Sequence, residues 1–205
     1  MFGSTSPSYL ILQSLDAANA VLADPDYIAR LVELTFRVAG CREALIRQGL
    51  DANNGNEPLK LTIYPRNYGY TGKELGEHLR KNGIECEFSD PDFLVLMFTP
   101  AISESDIRRL TEILTDLPRR EAVRTPPPVI CRPQRVYTIR EAALAPRETL
   151  PVAECLDRVL ATPSVGCPPA VPILVCGERV DESALKCFEY YGIKSCTVVK
   201  ENGKF

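Results

Sequence analysis

With 205 residues, 45% of them hydrophobic and 25% charged, the chain is long enough to bury one large core or two small ones. A formal net charge of −3, with no run of Lys and Arg interleaved with aromatics, excludes the basic face that nucleic-acid binding needs. No apolar run approaches the roughly 20 residues that span a bilayer, and Met1 to Tyr9 has neither a basic nor an apolar signal region, so a cytoplasmic protein without nucleic-acid or membrane partners is expected.

The first helix is expected from Ser8 to Ala23, where Leu12, Leu15 and Leu22 repeat at helical spacing behind Ser6-Pro7. Asp24-Pro25 breaks it. From about Asp26 to Gly49 the series Tyr27, Leu31, Leu34, Val38, Cys41, Leu45 advances by fours and threes, the stripe of one long amphipathic helix. Asp51 to Glu57, rich in Asn and Gly, reads as a loop.

Beyond it Leu59, Leu61 and Ile63 alternate as in a strand, and Thr71-Gly72-Lys73-Glu74 is a capping box opening a helix with Leu75 and Leu79 inward. Gly83 ends that helix. Ile84, Cys86 and Phe88 alternate again, Ser89 to Asp92 turns, and Phe93 to Phe98 is a continuous apolar run suited to a central strand. Ser103 to Asp106 starts another helix with Ile107, Leu110, Leu114 and Leu117 inward. The order βαββα implies a small sheet with helices on one face.

Arg119 to Pro133 carries Pro126-Pro127-Pro128 and Pro133, a stiff extended connector. Thr138-Ile139-Arg140-Glu141 is a further capping box, stopped at Pro146, and a short segment runs from Leu150 to Leu160. Pro168, Pro169 and Pro172 forbid helix, so the chain should arrive extended and run Ile173-Leu174-Val175 as a strand into a Gly177-Glu178 corner. Asp181 caps a last helix through Tyr191, Gly192 stops it, and Cys196 to Val199 closes the chain as a strand.

Few residues stand out as chemistry. Cys41, Cys86, Cys131, Cys155, Cys167, Cys176, Cys187 and Cys196 are scattered without a C-x-x-C pair, and the single histidine, His78, completes no zinc set. They read as reduced, mostly buried thiols, and no metal site is expected. Gly69 to Lys73 lacks Walker spacing, and His78 lies mid-helix with no nucleophile beside it. Glu178 stands at a strand end, either as a solvated turn carboxylate or as one aimed at a ligand.

Pro168-Pro169-Ala170-Val171-Pro172 with Gly177-Glu178 resembles the proline-rich Gly-Glu signature near the end of the bacterial ornithine/lysine/arginine decarboxylases, pyridoxal-phosphate (PLP) enzymes of fold type I. Ser4-Thr5-Ser6-Pro7-Ser8-Tyr9, followed by Ser14-Leu15-Asp16-Ala17-Ala18, is similar to a Ser/Thr-rich segment of the same family, although Gly3 stands where the family often has Gln or His. Ile139 to Ala143 with Pro151-Val152 resembles the segment ahead of the signature. The three matches keep the family's order.

The resemblance implies an α+β chain with residues 1–50 as the helical remainder of a PLP-dependent large domain, 51–118 as the small βαββα domain and 119–205 as the decarboxylase C-terminal domain. It implies decarboxylation of a basic amino acid to a polyamine precursor and CO2. Ser4 and Thr5 would hold the PLP phosphate of a neighbouring subunit, with an ordinary N-terminal loop hydroxyl as the alternative for Ser4, and Glu178 would face the substrate's distal cation. No lysine here follows a histidine as the family's Schiff-base lysine does. No catalytic residue is therefore assigned, the chain alone is expected to bind no PLP and to be inactive, and its partners would be a PLP-binding large domain or subunit in a homo-oligomer. The competing expectations are a non-catalytic partner or regulatory module, and one half of a split gene.

Overall fold

The computed structural model describes residues 8–129, 132–162 and 172–201. Two compact units divide the chain: Met1–Leu61 with Met97–Leu117, and Thr62–Leu96 with Pro118–Phe205.

The first unit begins with α1 (Tyr9–Leu22) and α2 (Tyr27–Gln48). On α2 the expected stripe is real: Leu34, Val38, Cys41 and Leu45 are buried, and Gly49 ends the helix in the left-handed conformation at φ 97°. The stripe packs against α4 (Glu104–Thr115), whose Ile107, Leu110 and Leu114 are buried and whose start is fixed by a reciprocal box: Asp106 N–H donates to Ser103 Oγ, and Ser103 N–H to Asp106 Oδ2. By contrast α1 buries none of its residues, with Tyr9 83% exposed.

The loop expected at Asp51 to Glu57 is shorter than its composition suggested. Asp51–Asn53 forms strand β1 with Ala52 buried, and the turn begins only where the Asn53 side chain accepts the Gly55 N–H at 2.9 Å. Strand β2 (Lys60–Tyr64) buries Leu61 and Ile63 as the alternation required. Helix α3 (Gly72–Lys81) follows, opened by the Thr71–Glu74 capping box. β3 (Phe88–Ser89) and β4 (Leu94–Met97) complete a sheet of order β1-β2-β4-β3, with the apolar run inside it. The strand expected from Ile84 shrinks to Phe88–Ser89, because Ile84 donates its N–H back to Leu79 O as the end of α3.

In the second unit the connector has no helix or strand over 118–129. It is nevertheless pinned: Arg120 N–H donates to Tyr68 O, Val123 N–H to Arg66 O, and Tyr70 Oη to Pro118 O, while the Arg119 and Arg120 guanidinium groups lie over the Tyr68 and Tyr70 rings. After it come α5 (Ile139–Leu144), β5 (Arg147–Pro151), a 3-10 turn at Val152–Glu154, β6 (Leu160–Thr162), α6 (Glu182–Tyr191) and β7 (Ser195–Val199). β7 is the middle strand of an antiparallel sheet, β5-β7-β6, with Leu150 opposite Cys196. Val152, Cys155, Leu160, Leu174, Val180, Ala184, Phe188, Cys196 and Val198 form its core.

The α+β class therefore holds. Among the described residues no helix is long and apolar enough to cross a membrane. Among the described residues Cys41, Cys86, Cys155, Cys176, Cys187 and Cys196 form no disulfide, and all but Cys86 are buried.

Candidate functional site

The Glu178 corner is built by β6 on one side and the non-strand segment 134–137 on the other, rather than by a strand of its own. Gly177 N–H donates to Leu160 O at 2.8 Å, and Leu160 N–H returns to Glu178 O at 2.9 Å. From the other side Val136 and Tyr137 both donate their N–H groups to Gly177 O, at 2.8 and 3.1 Å, and Arg179 N–H donates to Gln134 O at 2.9 Å. Gly177 adopts φ 88°, and a Cβ there would collide with the Tyr137 carbonyl. Only glycine meets both demands.

Ile173-Leu174-Val175 is not the strand the sequence led one to expect. It bends, with Leu174 in the core, because its polar groups close locally: Glu178 N–H donates to Val175 O at 3.2 Å, and Val175 N–H donates to Glu178 Oε2 at 2.8 Å. A backbone whose hydrogen bonds are met within one turn has none left for a ladder. The Glu178 side chain is consequently held in one orientation at a half-buried position. Ser4 and Thr5 lie outside the described residues, as does most of the proline-rich approach at 163–171.

The remaining sequence candidates settle into structural places. Gly69 takes φ 98° against the Arg120 backbone, and a Cβ on Gly72 would overlap the Phe93 carbonyl. The loop is packed from inside. His78 is half-buried on α3, its carbonyl accepting the Asn82 side-chain amide at 2.9 Å.

A PLP site needs an enclosed lysine to hold the cofactor, and the described residues do not provide one. Lys73, Lys81, Lys186, Lys194 and Lys200 are exposed, and Lys60 is paired with Glu57 at 2.8 Å on a partly exposed face. The described part of the chain thus does not fit a reacting PLP centre.

One polar cluster went unread in the sequence. Asp92, in a segment read as a turn, is buried and accepts from Arg66 Nη1 at 2.5 Å and from Tyr190 Oη at 2.7 Å, with Tyr191 Oη 3.4 Å from its other oxygen. Burial and the Asp92 and Asp90 charges push the Tyr191 hydroxyl up to about 12, and burial with the Asp92 hydrogen bond raises Tyr190. The adjacent tyrosines at the end of α6 were the available signal, but nothing local links them to Asp92.

Residues 118–197 match the family described as Orn/Lys/Arg decarboxylase, C-terminal domain. Over 201 residues the chain is 31% identical to an arginine decarboxylase of Bacillus subtilis, covering 89% of this chain and 41% of that protein. An arginine decarboxylase of Halalkalibacterium halodurans is 29% identical over 90% of this chain and 41% of its own length. The chain thus spans about two fifths of these relatives. Among solved structures the lysine decarboxylase of Francisella novicida superposes with a TM-score of 0.70 at 15% identity, over 96% of this chain and 44% of that one. The constitutive lysine decarboxylase of E. coli gives 0.69 at 17% identity, over 98% and 44%. At these identities the superpositions establish the fold.

Proposed function

We propose, from the match of residues 118–197 to the Orn/Lys/Arg decarboxylase C-terminal domain family, that the chain is the C-terminal portion of a cytoplasmic, PLP-dependent decarboxylase of a basic amino acid. Arginine, lysine or ornithine would lose its α-carboxylate as CO2 and leave a polyamine precursor. PLP would be held by a lysine on another domain or subunit and would supply the electron sink there. The residues of this chain bind and orient. Glu178 meets the substrate's distal cation, and Ser4 and Thr5 meet the cofactor phosphate across a subunit boundary.

The observation carrying this reading is the Glu178 corner. Its carboxylate is aimed by Val175 N–H and braced by backbone bonds from two other segments, which is how a specificity-determining charge is kept in register with a substrate. Support for a completing polypeptide comes from α1, whose residues are all uncovered, and from Ile28, Val32 and Phe36, exposed on α2 at intervals of four. A 14-residue helix that buries none of its residues is marginal by itself.

The test combines the chain with a polypeptide carrying the family's Ser-x-His-Lys segment and follows CO2 release from arginine, lysine and ornithine. Release from the combination, with the absorbance of protein-bound PLP seen only there, supports the reading. Release by the chain alone overturns it. The exposed position of most described lysines also suits a non-catalytic partner module, and a combination that assembles yet releases no CO2 favours that alternative.

A further inference from the structure

Among the described residues Asp92 is the one charged side chain that is buried, 5% exposed. A carboxylate removed from water is strongly unfavourable unless charge and hydrogen bonds replace its hydration. The replacements come from far along the chain. Arg66, just after β2, donates to Oδ1 at 2.5 Å and also meets the Tyr190 hydroxyl, while its Nη2 donates to Val123 O at 3.4 Å in the connector. Tyr190 and Tyr191, at the end of α6, place their hydroxyls on the two oxygens of Asp92, and their rings meet edge to face at 5.1 Å. Asp90 Oδ1 accepts the Asp92 and Phe93 N–H groups and so fixes the turn that presents Asp92. Lys73 Nζ donates to Tyr191 O at 3.5 Å.

Helix α6 is in turn part of the Glu178 corner. Its Ala184 and Phe188 share a core with Leu174 and Val180, which lie on either side of Glu178 in sequence, and Asp181 caps it by accepting Ala184 N–H at 2.7 Å. A rotation or slide of α6 has to carry Leu174 and Val180 with it, because a close-packed core transmits displacement.

We propose that Arg66, Asp92, Tyr190 and Tyr191 form a polar latch that fixes α6, and through it the Glu178 corner, to the 62–96 segment, with Asp92 as a positioning residue for Glu178. The connector then tethers two pieces that are already locked together. The functional half of this inference rests on the reading of Glu178 as substrate-facing; the latch itself does not.

Hydrogen exchange on the full chain, read by mass spectrometry, tests the latch. Asp92→Asn keeps the shape and removes the charge, and Tyr190→Phe removes a single hydroxyl should the first variant fold poorly. Exchange in α6 is expected to rise roughly tenfold or more, while α2 and α4 exchange at the wild-type rate. Unchanged α6 amides, or an equal rise in α2, α4 and α6, overturns the latch. In the complemented decarboxylase, Tyr190→Phe should raise KM for the amino acid several-fold at nearly constant kcat, and an unchanged KM despite faster α6 exchange overturns the positioning role. If Glu178→Gln also leaves KM unaltered, the substrate-facing reading fails, and the exchange result alone decides the latch.

Discussion

Val175 donates its backbone N–H to the Glu178 carboxylate at 2.8 Å while Glu178 returns its own N–H to the Val175 carbonyl. The side chain proposed to read the substrate is thereby also the clasp of its own turn. Charge and geometry can be separated experimentally. Glu178→Gln retains an acceptor for Val175 N–H and loses the charge, so stability should change by less than about 1 kcal/mol while KM for the amino acid rises roughly tenfold or more in the complemented enzyme. Glu178→Ala removes both and should cost about 1 to 2 kcal/mol in urea unfolding as well.

Gly72 supplies a harsher test of the packing. It opens α3 where the helix start meets the Phe93 carbonyl, and a methyl group has no room there. Gly72→Ala should destabilise the chain by roughly 2 to 4 kcal/mol, measured as a lower urea midpoint. Gly40→Ala, on α2 where a Cβ meets nothing within 4 Å, should instead be neutral or stabilise by up to about 1 kcal/mol.

These two glycines show which part of the fold could be read from the chain. Helices announced themselves through capping boxes and apolar spacing: Thr71 with Glu74, Ser103 with Asp106 and Thr138 with Glu141 all close as expected. Such signals lie within four residues of one another. β1 hid inside an Asn-rich segment, since Ala52 carries almost no pattern and a strand there depends on β2 beside it. Ile173 to Val175 misled because strand propensity counts side chains, whereas a turn bond from Glu178 decided the backbone. The turn at Gly177-Glu178 was legible, through its glycine. Asp92 was not, because Arg66, Tyr190 and Tyr191 meet only in three dimensions.

The tyrosines of that cluster set an alkaline limit. Burial first, then the Asp92 and Asp90 charges, raise Tyr191 from 10.0 to about 12. Between those values the unfolded chain has lost a proton that the folded chain retains, so unfolding is increasingly favoured as pH rises. The contribution is complete below pH 10 and is lost as pH climbs toward 12. Tyr191→Phe should flatten the fall of urea stability across that window, and absorbance near 295 nm should lose its last-titrating tyrosine. An unaltered titration in the variant would assign the late proton to another group.

The uncovered helices predict behaviour in solution. Tyr9, Leu10, Ile11, Leu15 and Leu22 on α1, with Phe36 on α2, present apolar side chains to solvent, and a concentration of exposed apolar side chains of this kind drives association. The chain by itself should therefore give a concentration-dependent mass above 22.7 kDa in light scattering. Leu10→Gln with Leu15→Gln should return it toward the monomer without altering the urea midpoint of the rest, since neither side chain is buried. Adding the lysine-bearing polypeptide should also suppress self-association, because the same apolar faces are then covered by a different surface. A monodisperse monomer at all concentrations would mean that α1 needs no cover.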